Sequence, residues 1–166
     1  MKLGGLPFGL LPLQPEHVTA VAGMFEEINA DPTARRFHPH PFDADNAIRV
    51  CSGAGRDLYS GLWIDGKLSG YGMLRGWDEG FDTPSLGIWI SARLRGTGAA
   101  KAMMSFLHLA ASLSGAVRIR LKVYSDNEKA IALYRSFGYR FSEVLEPDGQ
   151  LLGVLDLGFT QPAAAP

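Results

Sequence analysis

The sequence predicts one α/β domain, in which a mixed β-sheet carries helices packed on both faces. Three observations favour this fold class. Some segments repeat apolar residues at three- and four-residue spacing and others alternate them with polar residues, so helices and strands are both expected. The segments follow the order β-α-α-β-β-β-α-β-α-β-β, which combines local hairpins with crossover helices. The 166 residues carry no repeat or linker, so we expect a single domain over residues 1–160 and a flexible tail at 161–166.

The first third of the chain is expected to form a strand, two helices and a loop. An apolar run at residues 8–13 predicts the strand. The apolar face of the helix that follows consists of Val18, Val21, Phe25 and Ile28. Three prolines within residues 31–42 exclude a long helix or a central strand, so this segment is expected to be a shaped loop. Asp43 or Asp45 can cap a second short helix, which Gly53 would end.

The middle of the chain predicts three strands. Residues 58–64 and 68–77 lie on either side of Asp65-Gly66, a dipeptide that adopts the positive φ angles of a tight hairpin turn. These two strands should therefore be antiparallel. Residues 86–90 are dense in apolar and β-branched side chains, a composition typical of a central strand buried on both faces.

A long helix, a strand and a short helix are expected next. Residues 99–113 are rich in Ala, Met and Leu and predict the longest helix. Its expected apolar stripe consists of Ala102, Phe106, Leu109 and Leu113. In the following strand Ile119, Leu121 and Val123 alternate with charged residues. Asn127 can cap the short helix, and Gly138 would end it.

The last two strands, residues 139–145 and 151–157, flank the turn sequence Pro147-Asp148-Gly149 and should form a hairpin. An open sheet leaves an edge that needs covering. A homodimer that pairs these C-terminal strands is therefore an expectation.

Composition excludes several classes of partner. Lys and Arg total 16 against 17 Asp and Glu, and a formal charge of -1 gives no field to hold nucleic acid. The single cysteine, Cys51, cannot form an intramolecular disulfide, which fits a reducing compartment. Residues 1–7 lack the uninterrupted apolar core of a secretory signal, and no apolar run is long enough to span a membrane. A cytoplasmic protein with no membrane partner is expected.

One segment predicts an anion site. Arg93-Leu94-Arg95-Gly96-Thr97-Gly98 lies between the predicted central strand and the long helix, whose first residue is Ala99. Free backbone N–H groups at a helix start can converge on a phosphate, and the two glycines allow close approach of the backbone. The two arginines can add charge-assisted hydrogen bonds. By spacing alone, a plain strand-to-helix turn with exposed arginines explains the segment equally well. Neither a dinucleotide fingerprint nor a nucleotide-triphosphate loop matches it.

Two motifs resemble those of the GNAT superfamily of acetyltransferases. Residues 93–98 resemble the R/Q-x-x-G-x-G/A signature with which that family holds the pyrophosphate of acetyl-CoA. Residues 127–139 resemble its second motif, N-x-x-A-x-x-x-Y-x-x-x-G-F/Y. The two matches occur in the family's order and cover residues 86–139 together with the central strand. The resemblance implies an acetyl-CoA-dependent N-acetyltransferase whose acceptor amine attacks the thioester directly in a ternary complex.

The resemblance also implies the site residues. Those expected to contact acetyl-CoA are Ile88, Trp89, Ile90, Arg93, Leu94, Arg95, Gly96, Thr97, Gly98, Ala99, Asn127, Ala130 and Tyr134. The phenol of Tyr134 is the candidate general acid for the departing thiolate, and the backbone of residues 88–90 could polarise the thioester carbonyl. Taken alone, Asn127 would be a plain helix cap and Tyr134 a core aromatic residue.

The general base is left open. Many family members carry an acidic residue on the central strand, and residues 85–91 contain none. His38 and His40 in the proline-rich loop, or Asp78, Glu79 and Asp82 before the central strand, could accept the proton, and a water chain could also deliver it. These groups could equally serve packing or a solvated turn. The two histidines have no clear third partner for a metal, so no metal is expected.

The acceptor is predicted only as a class. Six aromatic and histidine residues suggest an aromatic-lined pocket: Phe37, His38, His40, Phe42, Trp77 and Phe81. Such a pocket suits the primary amine of a small molecule. Acylation of a protein or peptide amine, transfer of another acyl group, and a non-catalytic CoA-binding domain are the alternatives.

Overall fold

A mixed β-sheet forms the centre of the protein, for which a computed structural model describes residues 2–3, 6–145 and 148–158. Within these residues the strands are β1 (Lys2–Leu3), β2 (Leu6–Pro12), β3 (Leu58–Ile64), β4 (Lys67–Arg75), β5 (Ser85–Ile90), β6 (Arg118–Tyr124), β7 (Arg140–Leu145) and β8 (Gln150–Asp156). They lie in the order β1-β2-β3-β4-β5-β6-β8-β7. Neighbouring strands are antiparallel except β5 and β6, which are parallel.

Helices cover both faces of this sheet. The helices are α1 (Val18–Ala30), α2 (Ala44–Cys51), α3 (Ala99–Leu113) and α4 (Glu128–Ser136). One apolar cluster joins α1 and α2 to the sheet, and a second joins α3 and α4 to it. The predicted fold class and element order are confirmed, with the short β1 as an addition. No helix in the described ranges is both long and apolar enough to cross a membrane. The expected tail at 161–166 and the turn residue Pro147 lie outside the described residues.

Local sequence accounts for several of these boundaries. Asp65 and Gly66 have φ angles of 49° and 73°, and they make the tight turn between β3 and β4. The Asp43 carboxylate accepts a hydrogen bond from the Asn46 amide at 2.8 Å and caps α2. Strand β4 ends at Arg75, two residues before the predicted end at Trp77, because the Asp57 carboxylate accepts hydrogen bonds from the next two amides.

The predicted apolar stripe of α3 is wrong. Leu109 and Leu113 are 57% and 80% exposed, and the buried face consists of Ala99, Met103, Met104, Leu107 and Ala111. Helix α3 is apolar on more than one side, so periodicity alone could not choose the side that packs. The sheet determines which side of α3 packs. A Cβ at Gly72 of β4 would lie 2.5 Å from the Met103 sulfur, so the absence of a side chain at Gly72 makes room for Met103.

The central strand β5 is also less buried than predicted. Gly87 and Ile88 are only partly buried. The cause is the divergence of β5 from β6, whose one register pair among the described residues is Ser85 with Arg120. Beyond that pair the two parallel strands separate, which leaves a gap beside the second half of β5.

Candidate active site

A loop rich in glycine joins β5 to α3, and we call residues 93–98 the glycine loop. Gly96 and Gly98 have φ angles of 79° and 91°, which side chains rarely adopt, while the space around them is open. The first hydrogen bond of α3 runs from the Ala102 amide to the Gly98 carbonyl at 3.0 Å. From Gly96 onwards, the amides of Gly96, Gly98, Ala99, Ala100 and Lys101 have no hydrogen-bond partner among the described residues. This arrangement of free N–H groups at a helix start suits a phosphate.

The two arginines of the glycine loop differ in their contacts. The Arg95 guanidinium forms an ion pair with the Asp31 carboxylate at 2.5 Å and donates to the Thr33 hydroxyl at 2.7 Å. Its Nε also lies 3.3 Å from the Ile90 carbonyl oxygen. Arg93 makes one contact, from Nη2 to the Ser69 hydroxyl. Arg95 therefore anchors the loop to the segment after α1, and Arg93 keeps most of its donors for a ligand.

Leu94 and Thr97 shape the glycine loop from within. Leu94 is partly buried against the apolar cluster of α3 and α4. The Thr97 hydroxyl donates to the Leu94 carbonyl at 2.7 Å, and the Thr97 amide lies 3.3 Å from the same oxygen. These contacts close the turn.

The gap between β5 and β6 exposes the backbone of two predicted site residues. The Ser91 amide donates to the Ser69 carbonyl of β4 at 3.0 Å. Backbone groups alternate in direction along a strand, so those of Trp89 also face β4, and those of Ile88 and Ile90 face the gap. The Trp89 side chain is 4% exposed and packs in the apolar cluster of α1 and α2. Of the three β5 residues, Ile88 and Ile90 have backbone groups that face the gap, although the Ile90 carbonyl already accepts from Arg95.

Tyr134 of α4 lies in the same apolar cluster as Ile90. Its residue exposure is 8%, and its hydroxyl makes no hydrogen bond to the described residues. Burial raises the pKa of Tyr134 to about 12, so the phenol keeps its proton near neutral pH. Asn127 caps α4, and its side-chain oxygen lies 3.4 Å from the Ala130 amide. The cap interpretation of Asn127 is confirmed, which leaves its side-chain amide for other partners.

A cavity of about 470 Å³ opens beside the paired ends of β5 and β6, and we call it the charged cavity. His38 and Glu79 both line it. The His38 Nε2 atom lies 2.7 Å from the Tyr124 hydroxyl. The Glu79 carboxylate lies 3.5 Å from the Arg75 guanidinium. Another cavity, of about 440 Å³, lies between α1 and the start of β4 and contains none of the predicted site residues.

His40 has a different environment from His38. Its Nδ1 lies 2.7 Å from the Pro41 carbonyl oxygen, so Nδ1 carries the proton and donates. Its Nε2 therefore accepts from the Tyr71 hydroxyl at 2.9 Å. Burial lowers the pKa of His40, which keeps the imidazole neutral. The ring packs against Phe25 and Phe42 and does not line the charged cavity.

The expected aromatic lining is largely absent from the charged cavity. Of the six suggested residues only Phe37 and His38 line it. Trp77 is 5% exposed in the core, and Phe81 lies 51% exposed with the Arg120 guanidinium 5.0 Å from its ring centre. Four cationic residues line the cavity: Arg36, Arg75, Arg120 and Lys122. The charged positions that alternate with apolar ones along β6 were the sequence signal for the last two.

No group of three or more His, Cys, Asp and Glu side chains is arranged to hold a metal ion in the described ranges. That the protein needs no metal stays a prediction.

Known proteins are similar to this chain in sequence and in fold. The model of the Acetyltransferase (GNAT) family matches residues 22–139. A spermine/spermidine N(1)-acetyltransferase of Bacillus subtilis is 35% identical over 107 residues, which cover 58% of this chain and 68% of that protein. An N-acetyltransferase structure from Staphylococcus aureus Mu50 superposes with a TM-score of 0.73 at 19% identity, covering 91% of this chain and 99% of that one.

A third relative was solved with the expected ligand. It is a candidate acetyltransferase from Salmonella typhimurium in complex with its cofactor acetyl-CoA, with a TM-score of 0.74 at 17% identity. The match covers 96% of this chain and 99% of that chain. The glycine loop, the β5–β6 gap and Tyr134 all occur within the matched family region. The chain therefore belongs to the GNAT family of acetyltransferases and is an acetyl-CoA-dependent N-acyltransferase.

Proposed function

We propose that this enzyme transfers the acetyl group of acetyl-CoA to the primary amine of a small molecule, by direct attack in a ternary complex. The observation that carries the proposal is the charged cavity, whose volume of about 470 Å³ fits a small molecule beside the β5–β6 gap. The Bacillus relative, named for acetylation of spermine and spermidine, supports an acceptor of this size.

The donor binds through backbone groups in this proposal. The free amides at Gly96, Gly98 and Ala99 hold the pyrophosphate, and Arg93 adds a charge-assisted contact. The open backbone edge at Ile88 and Ile90 takes the extended arm as an added strand. Acetyl-CoA supplies the activated acyl group as a thioester. Holding both reactants at this junction removes the entropic cost of their encounter.

Tyr134 is the proposed proton donor to the departing thiolate. Its raised pKa of about 12 keeps the phenol protonated over the physiological range, which a general acid requires. Its hydroxyl has no competing partner among the described residues. The side-chain amide of Asn127, at the start of the same helix, is available to orient the donor.

His38 is the proposed general base. It lines the charged cavity, and its Nε2 is fixed by the Tyr124 hydroxyl at 2.7 Å. When Nε2 carries the proton and donates to Tyr124, Nδ1 keeps a lone pair for the ammonium proton of the acceptor. Glu79 is the second candidate, although its carboxylate is 52% exposed and near Arg75. His40 is a weaker candidate because its two ring nitrogens are already bonded.

Thiol release from acetyl-CoA, followed with a panel of primary amines, tests the proposed function. We expect amine-dependent release by the wild type, with N-acetylated product identified by mass spectrometry. His38→Gln should lower kcat/KM by roughly 100-fold and Glu79→Gln by much less, since general base catalysis contributes about 10²–10⁴-fold. Acetylation of lysine-containing peptides alone would favour the protein acceptor, and binding of acetyl-CoA without turnover of any amine would favour a non-catalytic domain.

A further inference from the structure

The charged cavity has an excess of positive charge in a chain whose formal net charge is -1. Its lining includes four cationic side chains and two carboxylates, Glu79 and Asp148. The lining therefore has two more cationic than anionic side chains. Glu79 pairs with Arg75, and Asp148 accepts hydrogen bonds from the Gln150 amide at 3.2 Å and from its side chain at 3.1 Å. The local excess is therefore not a reflection of overall composition.

Two of the four cations are paired with carboxylates, and the other two have no such partner in the described part of the chain. Arg36 forms an ion pair with Asp126 at 2.6 Å, and Arg75 donates to the Pro39 carbonyl at 2.6 Å as well as facing Glu79. Among the described residues Arg120 contacts neutral groups, since its Nε donates to the Ser85 hydroxyl at 2.9 Å and its guanidinium covers the Phe81 ring.

Lys122 makes no hydrogen bond or ion pair with the side chains that the structure describes. Together Arg120 and Lys122 offer two cationic groups on one wall of the cavity. Neither has an acidic partner among those side chains.

The position of this pair relates it to the reaction. Arg120 stands at the register pair where β5 and β6 meet, so it marks the closed end of the gap. Residues two apart along a strand share a face, so Arg120, Lys122 and Tyr124 form one row with a step of roughly 7 Å. At the end of that row Tyr124 holds His38, the proposed base. An acceptor lying along the row would meet the cations at one end and the base at the other.

We propose that the acceptor carries an anionic group, a carboxylate or a phosphate, as well as its primary amine, and that Arg120 and Lys122 bind that group. This inference rests on the proposed function and narrows its substrate class. Paired cations recognise carboxylate and phosphate oxygens by charge-assisted hydrogen bonds. The same cations repel a second ammonium group, so a polyamine is disfavoured in this cavity. The positive wall also orients the acceptor, with its amine directed towards His38.

Binding can be measured without turnover. Backbone amide NMR spectra of the protein saturated with CoA are recorded during titration with 3-aminopropanoate, 2-aminoethyl phosphate, propylammonium and spermidine. Saturating CoA occupies the glycine loop, so a second anion must bind elsewhere. We expect saturable shifts at the amides of Arg120 and Lys122 with an anionic amine, at Kd values about 10- to 100-fold lower than for propylammonium. The two anionic probes distinguish a carboxylate from a phosphate.

Substitutions test whether Arg120 and Lys122 cause the preference for an anionic amine. Arg120→Gln and Lys122→Gln should each remove most of the preference for the anionic probe. Lys67→Gln removes the same charge from an exposed residue at the start of β4, outside the charged cavity, and should leave the preference intact. An unchanged melting-temperature increase on addition of CoA verifies that each variant is folded and binds the donor.

The outcomes separate the two proposals. No saturable shift with either anionic probe, or equal affinity for propylammonium or spermidine, would overturn the anionic acceptor. Among primary amines, kcat/KM should be about 10- to 100-fold higher for the anionic member of each matched pair. Turnover of propylamine or spermidine with equal or higher kcat/KM overturns this inference and leaves the proposed function standing. Anion binding without turnover of any amine overturns the proposed function instead.

Discussion

The glycine loop and the charged cavity are built from different chemistry. The loop offers a ligand backbone amides that are free because a helix begins there, and its glycines are required by φ angles of 79° and 91°. The cavity depends on side chains from several distant segments. A backbone site can be kept while most side chains around it change, whereas a side-chain site changes its ligand with each substitution. We therefore expect the donor to be common to the family and the acceptor to be particular to this chain.

Tyr134 is the proposed proton donor, and its loss should have the largest effect. Tyr134→Phe removes the proposed proton donor and keeps the buried ring, so we expect kcat to fall roughly 10²–10⁴-fold. The affinity for acetyl-CoA, measured by calorimetry, should change little. Because the pKa of Tyr134 is about 12, wild-type kcat should show no loss from this group up to about pH 10.

A matched control for that variant is Tyr139→Phe. The Tyr139 ring is buried 5.8 Å from that of Tyr134, and its hydroxyl is bonded to His108 at 3.0 Å. Removing this hydroxyl should lower stability and leave kcat within a few-fold of the wild type. If both variants lose kcat equally, Tyr134 has a packing role and the thiolate takes its proton from elsewhere.

The glycine loop should lose affinity for acetyl-CoA when a side chain is introduced at Gly96. Gly96→Glu adds a Cβ to a residue with φ of 79° and places a carboxylate among the free amides, so we expect acetyl-CoA affinity to fall by roughly 100-fold. The increase in melting temperature with acetyl-CoA measures this. Gly53→Glu is the matched control, since Gly53 has φ of 65° and equally open surroundings. Retention of the increase in Gly96→Glu would refute a phosphate site at the loop.

The contrast between the backbone site at the glycine loop and the side-chain site in the charged cavity also explains which features the sequence could predict. Residues 93–98 and 127–139 are contiguous motifs whose roles follow from local conformation, so the loop, the cap at Asn127 and the buried Tyr134 were readable. The charged cavity joins residues such as Arg36, Arg75 and Arg120, which meet only after the sheet has formed. No spacing rule in the sequence predicts that these side chains line one cavity.

Two local expectations show the same limit. The stripe chosen on α3 was wrong because Gly72, far away in sequence, selects the face that packs. His38 and His40 are one residue apart and were indistinguishable in the sequence. The turn of the loop sends His38 into the cavity and His40 into an aromatic cluster with Tyr71. Tertiary contacts decided both cases.

The two arginines of the glycine loop allow a further test of how the loop binds the donor. Arg93→Gln should weaken acetyl-CoA binding by about 10-fold and leave the melting temperature of the free protein nearly unchanged, because Arg93 has one protein contact. Arg95→Gln should leave acetyl-CoA binding nearly unchanged and lower the stability of the free protein. It breaks a partly exposed ion pair with Asp31, so the free energy of unfolding should fall by about 0.5–1 kcal/mol. Urea unfolding and calorimetry measure the two effects, and identical behaviour of both variants would contradict the division of roles.

The smallest expected effect concerns His40 and the pH dependence of stability. Burial lowers the pKa of His40 in the native state. As pH falls below about 6.5, the unfolded chain binds a proton at this residue before the native state does, so the free energy of unfolding decreases until the native pKa is reached. His40→Gln removes that contribution, and its stability should fall less steeply from pH 7 to pH 5 than that of the wild type. Urea unfolding at both pH values measures the difference.

His108 supplies the internal comparison for that experiment. Burial lowers its pKa too, so it contributes a loss of stability of the same sign, and this contribution persists in His40→Gln. The dependence of the unfolding free energy on pH should therefore be reduced in His40→Gln without vanishing. Combining His40→Gln with His108→Gln should reduce this slope further. If His40→Gln has the full wild-type slope, the residue is not held neutral by its aromatic cluster. His40 would then regain its place beside His38 as a candidate base, since a histidine that titrates freely can accept a proton near neutral pH.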